Sequence, residues 1–249
     1  MSMIDANLIT LQTYQAKCTN LPQQVSREDI INESFLIEKE GPLEMYYAPH
    51  NEYINEQARI VIVGITPGWT QTKMAFEIAR DAFIAGESLE EISMKTKAAA
   101  RFSGTMRRNL IAMLDACGLQ HILGMSSSER LFTDDEHLLH TTSCVKYPVF
   151  YKGKNYNGHV PKVDRSRLLR KYAFDIFPKE LAEIDESFLL VPLGNAVSEV
   201  IEQLMEEGRI PEAQCLFGFP HPSGANGHRK KQLEAAQHRL ARQIAAFRI

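Results

Sequence analysis

The residue of this sequence best placed to do chemistry is a histidine held between two prolines. His221 is flanked by Pro220 and Pro222, which restrict φ on either side of it, and Gly224 and Gly227 then allow sharp backbone turns. A short apolar segment precedes this loop, and a helical pattern follows it. Loops that join a strand to a helix in this way bind ligands in open α/β folds. The same pattern is also typical of an ordinary strand–turn–helix connection.

A second turn with glycine and proline follows a run of β-branched residues. Residues 59–63 read Arg-Ile-Val-Ile-Val, which predicts a strand buried on both faces of a parallel sheet. The turn after it consists of Gly64, Ile65, Thr66, Pro67 and Gly68. Together with the segment His221-Pro222-Ser223, this turn resembles the two signature motifs of the uracil-DNA glycosylase superfamily.

The resemblance implies a DNA N-glycosylase, a hydrolase of base-excision repair that binds a flipped, deaminated or damaged, uracil-like base and hydrolyses its glycosidic bond. His221 would then stabilise the leaving base by hydrogen bonding, and Thr66 would position the attacking water. The other substrate-binding residues expected in the two motifs are Gly64, Ile65, Pro67, Gly68, Ser223 and Asn226.

Two further segments are similar to the superfamily. Phe102 precedes a predicted helix that ends in Gly-Leu and matches the aromatic residue that stacks on the flipped base; a core position is the alternative. The predicted strand at residues 137–146 matches a strand whose asparagine reads the base edge, and Ser143 occupies that asparagine's position. Tyr147 stands where one branch has a cluster cysteine, so no iron–sulfur cluster is expected. His221 and His228 lack the further converging ligands that a metal requires, so no metal is expected, and no other cofactor is expected either.

Two departures from the family pattern keep other functions open. A hydroxyl such as that of Thr66 cannot act as a general base at neutral pH, although it can orient a water. Ser143 offers fewer paired contacts to a base than asparagine does. The alternatives are therefore a catalytically weak or inactive nucleic-acid-binding protein, or a nucleotide- or nucleoside-binding hydrolase.

A basic segment indicates where nucleic acid would bind. We use the name basic tract for residues 146–171, which contain eight Lys or Arg residues against the single acid Asp164. Such a tract is typical of a phosphate-contacting face, or of a solvated loop and helix. The predicted nucleic-acid contacts are Lys146, Lys152, Lys154, Arg165 and Arg167 from the tract, and Arg229 from the loop after His221.

The elements that must position these residues form an α/β pattern. Predicted strands at residues 59–63, 137–146, 188–193 and 214–219 alternate with helices, which predicts a three-layer α/β/α sandwich with a four-stranded parallel sheet. The resemblance implies the strand order 2-1-3-4. Residues 1–58 are expected to form a helical covering layer on a core at 59–249, with residues 71–97 as an insertion.

Composition sets the remaining expectations. The chain has 249 residues, is 44% hydrophobic and carries a net charge of −3, which fits one domain with a sizeable core. The four cysteines are far apart and form no Cys-x-x-Cys pair, which is typical of a reduced intracellular protein. No apolar run is as long as a membrane span, and no signal peptide is evident. We expect a cytoplasmic monomer that binds DNA and no membrane.

Overall fold

The computed structural model describes residues 2–185, 187–210 and 215–248 of the chain. The described strands are β1 (Leu36–Glu40), β2 (Leu43–Tyr46), β3 (Ile60–Gly64), β4 (Leu139–Ser143), β5 (Val149–Tyr151), β6 (Lys154–Asn155) and β7 (Leu189–Pro192). The described α-helices are α1 (Met3–Thr13), α2 (Gln15–Thr19), α3 (Arg27–Ile30), α4 (Trp69–Ile84), α5 (Leu89–Ala100), α6 (Thr105–Ala116), α7 (Leu119–Ile122), α8 (Arg167–Arg170), α9 (Phe177–Ala182), α10 (Asn195–Glu206) and α11 (Arg229–Ala246).

The chain forms two compact units. Unit 1 consists of Met1–Ile54, Thr66–Arg101 and Ser143–Glu183, and unit 2 consists of Asn55–Ile65, Phe102–Thr142 and Ile184–Ile249. Each unit is therefore assembled from three separate stretches of the sequence. That the whole chain is a single domain stays a prediction.

Unit 1 contains an antiparallel sheet that the sequence analysis did not predict. Its strand order is β1-β2-β5-β6, and every adjacent pair is antiparallel. The turn between β5 and β6 is made by Lys152 and Gly153, both with positive φ, as a tight hairpin of this kind requires. The expectation of an all-helical layer at residues 1–58 is therefore wrong for β1 and β2, although α1, α2 and α3 are helical.

Local sequence signals account well for the helices of unit 1. α5 begins at a capping box in which Ser88 and Glu91 each bond the other's backbone N–H. α4 begins at Trp69, with Gly68 as its N-cap. A cluster of stacked rings lies in this unit's core, with Tyr14 and Tyr47 parallel at 3.7 Å between ring centroids.

Unit 2 contains the predicted sheet in shortened form. Its order is β4-β3-β7, and β3 runs parallel to β7 with Val63 opposite Pro192. All residues of β3, β4 and β7 are buried, which fits the apolar composition of β3 and β7. β4 buries polar side chains as well, from His140 to Ser143. The predicted strand at residues 137–146 is regular only over Leu139–Ser143, because Glu136–Leu138 forms a 3-10 turn.

The predicted four-stranded parallel sheet is found with three strands among the described residues. Of the predicted fourth strand at residues 214–219, residue 214 lies outside the described residues, and Cys215 forms only an isolated parallel bridge to Leu190. The chain then turns at Gly218, whose φ is +79°, so a regular strand cannot continue there. The α/β class is confirmed, and the order of the first three predicted strands is as expected.

Helices α6, α7 and α11 of unit 2 share one hydrophobic core with this sheet. Side chains from both β3 and β7 meet apolar residues of α6 and α11 there. Fully or almost fully buried members of this core are Ile60, Ile62, Leu110, Leu114, Leu189, Val191, Leu240 and Ile244. The buried side of α11 thus anchors the helix that follows the His221 loop.

Candidate functional site

The imidazole of His221 is held as a neutral hydrogen-bond donor. The backbone N–H of Ser223 donates to Nδ1 of His221 at 3.2 Å, so in the neutral ring the proton lies on Nε2. Burial lowers the pKa of His221 below its usual value of 6.5, because a desolvated ring favours the uncharged form. At neutral pH, His221 therefore offers one Nε2–H group to a ligand.

Three side chains fix the loop that carries His221. Asn109 donates from Nδ2 to the carbonyl of Pro222 at 2.8 Å, and Arg229 donates to the carbonyl of Ser223 at 2.9 Å. Arg229 also reaches Oδ1 of Asn109 at 3.3 Å, so the two residues support one another. Asn226 donates to the carbonyl of His221 at 3.1 Å. The loop is therefore rigid because its own backbone carbonyls are hydrogen-bonded.

Two residues that were predicted to contact a ligand hold the His221 loop in place. Arg229 and Asn226 were predicted to contact nucleic acid and substrate, and both of them hydrogen-bond to the His221 loop. Asn109, which the sequence analysis missed, lies on α6 far from the loop in sequence. Its only sequence signal is a short amide inside a helix, where asparagine is a poor helix former.

The His221 loop lies at the carboxyl end of the unit 2 sheet, beside the first motif. Leu193, just after β7, donates its N–H to the carbonyl of Val63 at 2.9 Å. A Cβ on the next residue, Gly194, would come within 3.2 Å of the Cβ of His221, and Gly194 has a φ of +83°. A glycine is therefore required where the His221 loop approaches. The structure thus brings Gly64 and His221 to the same edge of the sheet.

The hydroxyl of Thr66 is already used by the fold of unit 1. Its Oγ1 donates to the carbonyl of Tyr147 at 2.7 Å and accepts from the N–H of Val149 at 3.1 Å. The neighbouring Pro67 is buried, and Gly68 caps α4. Thr66 therefore ties the turn after β3 to the start of β5, which leaves it one lone pair for a water.

The other two residues predicted to face a base are buried. Phe102 is 6% exposed and belongs to the hydrophobic core of unit 2, and its φ of +47° is unusual for an aromatic residue. This placement favours the core position over a stacking role. Ser143 is buried at the end of β4.

Lys146 does not lie on the surface, so its predicted contact with nucleic acid is wrong. Its side chain is 6% exposed, and Nζ lies 2.6 Å from a carboxylate oxygen of Glu52, which is fully buried. The ammonium also donates to Oδ1 of Asn7 at 2.5 Å, and the hydroxyl of Tyr147 donates to Glu52 at 2.8 Å. Burial raises the pKa of Glu52, and the ion pair with Lys146 opposes that shift. A buried ammonium is held here by partners that the sequence places far away.

No protein-family model matches the chain. Over 241 residues it is 46% identical to "Uncharacterized protein YoxB" of Bacillus subtilis (strain 168), an alignment that covers 97% of this chain and 94% of that protein. The chain belongs to the YoxB family. Among solved structures it is similar to that of WT Pedobacter heparinus SMUG2, with 13% identity, a TM-score of 0.46 and coverage of 99% and 98% of the two chains. That likeness is too weak to carry an argument about function.

In this YoxB-family chain the basic tract is partly neutralised. Arg165 pairs with Asp164 at 3.2 Å, and Lys171 pairs with Glu38 at 3.0 Å. The side chain of Arg167 is exposed, but its backbone N–H bonds to Glu40. Of the predicted contacts in the tract, the exposed ones are Lys152, Lys154, Arg165 and Arg167.

The thiols of this YoxB-family chain are buried and separate. All four cysteines are free, and burial raises the pKa of Cys18 to about 12 and that of Cys117 to about 11. Among the described residues, no three His, Cys, Asp or Glu side chains converge in a way that could hold a metal ion. The expectation of no cofactor stays a prediction. Within the same residues, no helix is long and apolar enough to cross a bilayer.

Proposed function

We propose that this protein is a DNA N-glycosylase that releases a flipped, deaminated or damaged base. The observation that carries the proposal is the state of His221, which is neutral, rigidly held and oriented to donate from Nε2. A preorganised donor is what a leaving base requires, because negative charge grows on the base as the glycosidic bond breaks. The order and spacing of the two sequence motifs supply the reaction class.

In the proposed reaction the bond between C1′ of the sugar and the base nitrogen breaks. Its electron pair leaves with the base, which His221 stabilises through Nε2–H, and the sugar acquires oxocarbenium character. Water then adds its hydroxide to C1′ and releases a proton to the solvent. The backbone N–H groups of Gly64 and Ile65, at the same edge of the sheet as His221, would contact the base, and Ser143 would contact its edge.

A base bound this way has to present an acceptor oxygen or ring nitrogen to the imidazole. Uracil carries a carbonyl oxygen next to its glycosidic nitrogen, and the purines hypoxanthine and xanthine carry acceptor nitrogens in their rings. These atoms take up the developing charge. Ser223 would bind a flanking phosphate, and Asn226 is the predicted inserting or base-contacting residue of the loop. Lys152, Lys154, Arg165 and Arg167 are further predicted nucleic-acid contacts.

A second candidate function is a nucleic-acid-binding protein without turnover. The hydroxyl of Thr66 is committed to Tyr147 and Val149, and the ring of Phe102 is part of the core. The first placement leaves the hydroxyl of Thr66 one lone pair for a water, and the second removes the ring of Phe102 from the flipped base. Binding would then persist without hydrolysis.

A strand-cleavage assay separates the two functions. Oligonucleotides with uracil, hypoxanthine, xanthine or a mismatched thymine, single- and double-stranded, are incubated with protein and treated with alkali to break abasic sites. We expect breaks with the wild type and with His228→Ala, an exposed histidine just after the same loop, but none with His221→Ala. Binding without breaks in every protein would leave the second function.

A further inference from the structure

The last helix, α11, and the two residues after it carry a concentration of positive charge, of which the sequence analysis considered Arg229 alone. Between residues 228 and 248 the chain has six Lys or Arg residues and one acid, Glu234. The basic residues are Arg229, Lys230, Lys231, Arg239, Arg242 and Arg248. All of them except Arg229 are exposed. This is a high density for a protein whose net charge is −3.

Part of this positive charge lies on one side of the helix. Lys231, His238 and Arg242 are seven and four residues apart, so they lie along the solvent side of the helix, and we call these three the basic stripe. Lys230 and Arg239 flank the stripe. The stripe is about 16 Å long at 1.5 Å per residue.

The charges of the basic stripe are available to a partner. Within the residues that the structure describes, neither Lys231 nor Arg242 forms an ion pair, whereas in the basic tract Lys146, Arg165 and Lys171 each do. Arg239 is partly engaged, because it donates to the carbonyl of Phe217 at 2.7 Å. Lys152 and Lys154 of the basic tract form no ion pair among the described residues either, so the two surfaces differ in that the tract also contains paired cations and the stripe does not.

We infer that the basic stripe of α11 binds the phosphates of the nucleic acid, and that it contributes more to binding than the basic tract does. One DNA strand presents a phosphate every ~3.4 Å of helix axis, so a stripe of this length faces about five of them. α11 begins at Arg229, which itself holds the His221 loop through Ser223, so a strand on the stripe leads to that loop. The inference rests on the proposed function in taking DNA as the ligand.

A membrane surface fits the stripe less well. Membrane-bound amphipathic helices insert an apolar face, but the apolar residues Leu240 and Ile244 of α11 are fully buried in the core of unit 2. The solvent side of α11 offers alanine between its basic residues, at Ala235 and Ala246. Such a surface can contact phosphates and has no large side chain to enter lipid.

The test compares two matched double variants of the full chain. Lys231→Gln with Arg242→Gln removes two charges from the stripe, and Lys152→Gln with Lys154→Gln removes two exposed charges from the tract. Binding of a short undamaged DNA duplex is measured by fluorescence anisotropy over a salt series. We expect the first variant to lose at least several-fold in affinity and about two units of the log–log salt slope, and the second to lose less.

Several results would overturn the inference: a larger loss in the tract variant, no duplex binding by the wild type, or binding to anionic phospholipid vesicles in place of DNA. The same proteins are assayed for base release, which separates the two proposals. Stripe-dependent binding without base release would reject the glycosylase and keep this inference. Base release with binding that does not depend on the stripe would support the glycosylase and reject this inference. Circular dichroism spectra of both variants check that they are folded.

Discussion

The Thr66 turn and the His221 loop were predicted as partners in one reaction, yet their polar groups are used in different ways. The hydroxyl of Thr66 is bonded on both sides by the backbone of Tyr147 and Val149. The imidazole of His221 accepts one hydrogen bond at Nδ1 and keeps Nε2–H as a donor. A loop can present a reactive side chain when other residues hydrogen-bond to its backbone. Asn109 and Arg229 do so in the His221 loop, so the imidazole keeps a donor for a ligand.

The Lys146–Tyr147 segment extends this contrast. Lys146, Glu52 and Tyr147 satisfy one another in the interior of unit 1. The positive charge of Lys146 and the negative charge of Glu52 are paired with one another. Polar residues of unit 1 next to Thr66 should therefore affect stability, and His221 should affect turnover.

The largest expected effect is that of breaking the buried ion pair. Lys146→Met leaves Glu52 without its counter-charge, and we expect about 3–5 kcal/mol of lost stability in urea unfolding. Adding Glu52→Leu to Lys146→Met should restore much of that loss, since no charge is then buried alone. A loss under about 1 kcal/mol in the single variant would contradict the structural role of the pair.

His221→Ala should reduce turnover and leave the fold intact. Removal of one preorganised donor typically lowers kcat by about 10²–10³-fold. Base release from the best oligonucleotide substrate is the measurement, with His228→Ala as the matched control. Equal activity of His221→Ala and wild type would show that the loop carries no chemistry.

Thr66→Val removes the hydroxyl and keeps the shape of the side chain. It leaves the carbonyl of Tyr147 and the N–H of Val149 unpaired, so we expect about 1–3 kcal/mol of lost stability. Activity per folded molecule should change little, and Thr66→Ser should retain both properties. If Thr66→Val stays as stable as wild type but loses base release, the hydroxyl positions water after all.

The smallest expected effect is the pH dependence that His221 imposes. The reaction needs the neutral ring, and burial lowers the pKa of His221, so base release should persist as pH falls through 6.5 and decline only below it. The unfolded chain binds the proton more readily, so this group's contribution to stability is present above 6.5 and is lost as pH falls further. If the rate already declines before the pH has been lowered to 6.5, the neutral-donor role of His221 is contradicted.

Much of this structure could be predicted from local sequence. The β-branched run at residues 59–63 predicts β3, and the capping pair Ser88 and Glu91 marks the start of α5. The antiparallel sheet of unit 1 was missed, because β1 and β2 are charged and half-polar and the pairing of β2 with β5 is set over about a hundred residues of sequence. The expected fourth strand is interrupted at Gly218, which has a positive φ. The residues around Gly218 do not indicate this conformation.

The sequence alone determined which turns could hold a ligand, because proline, glycine and β-branched residues restrict the backbone locally wherever they occur. Only the tertiary structure decided what each polar side chain does. Thr66 donates to a carbonyl 81 residues away in the sequence, and Lys146 donates to Asn7, which is 139 residues away. Asn109 is 113 residues from Pro222, to whose carbonyl it donates. A hydrogen bond depends on position in space, so charge and residue type alone could not distinguish buried Lys146 from exposed Lys152.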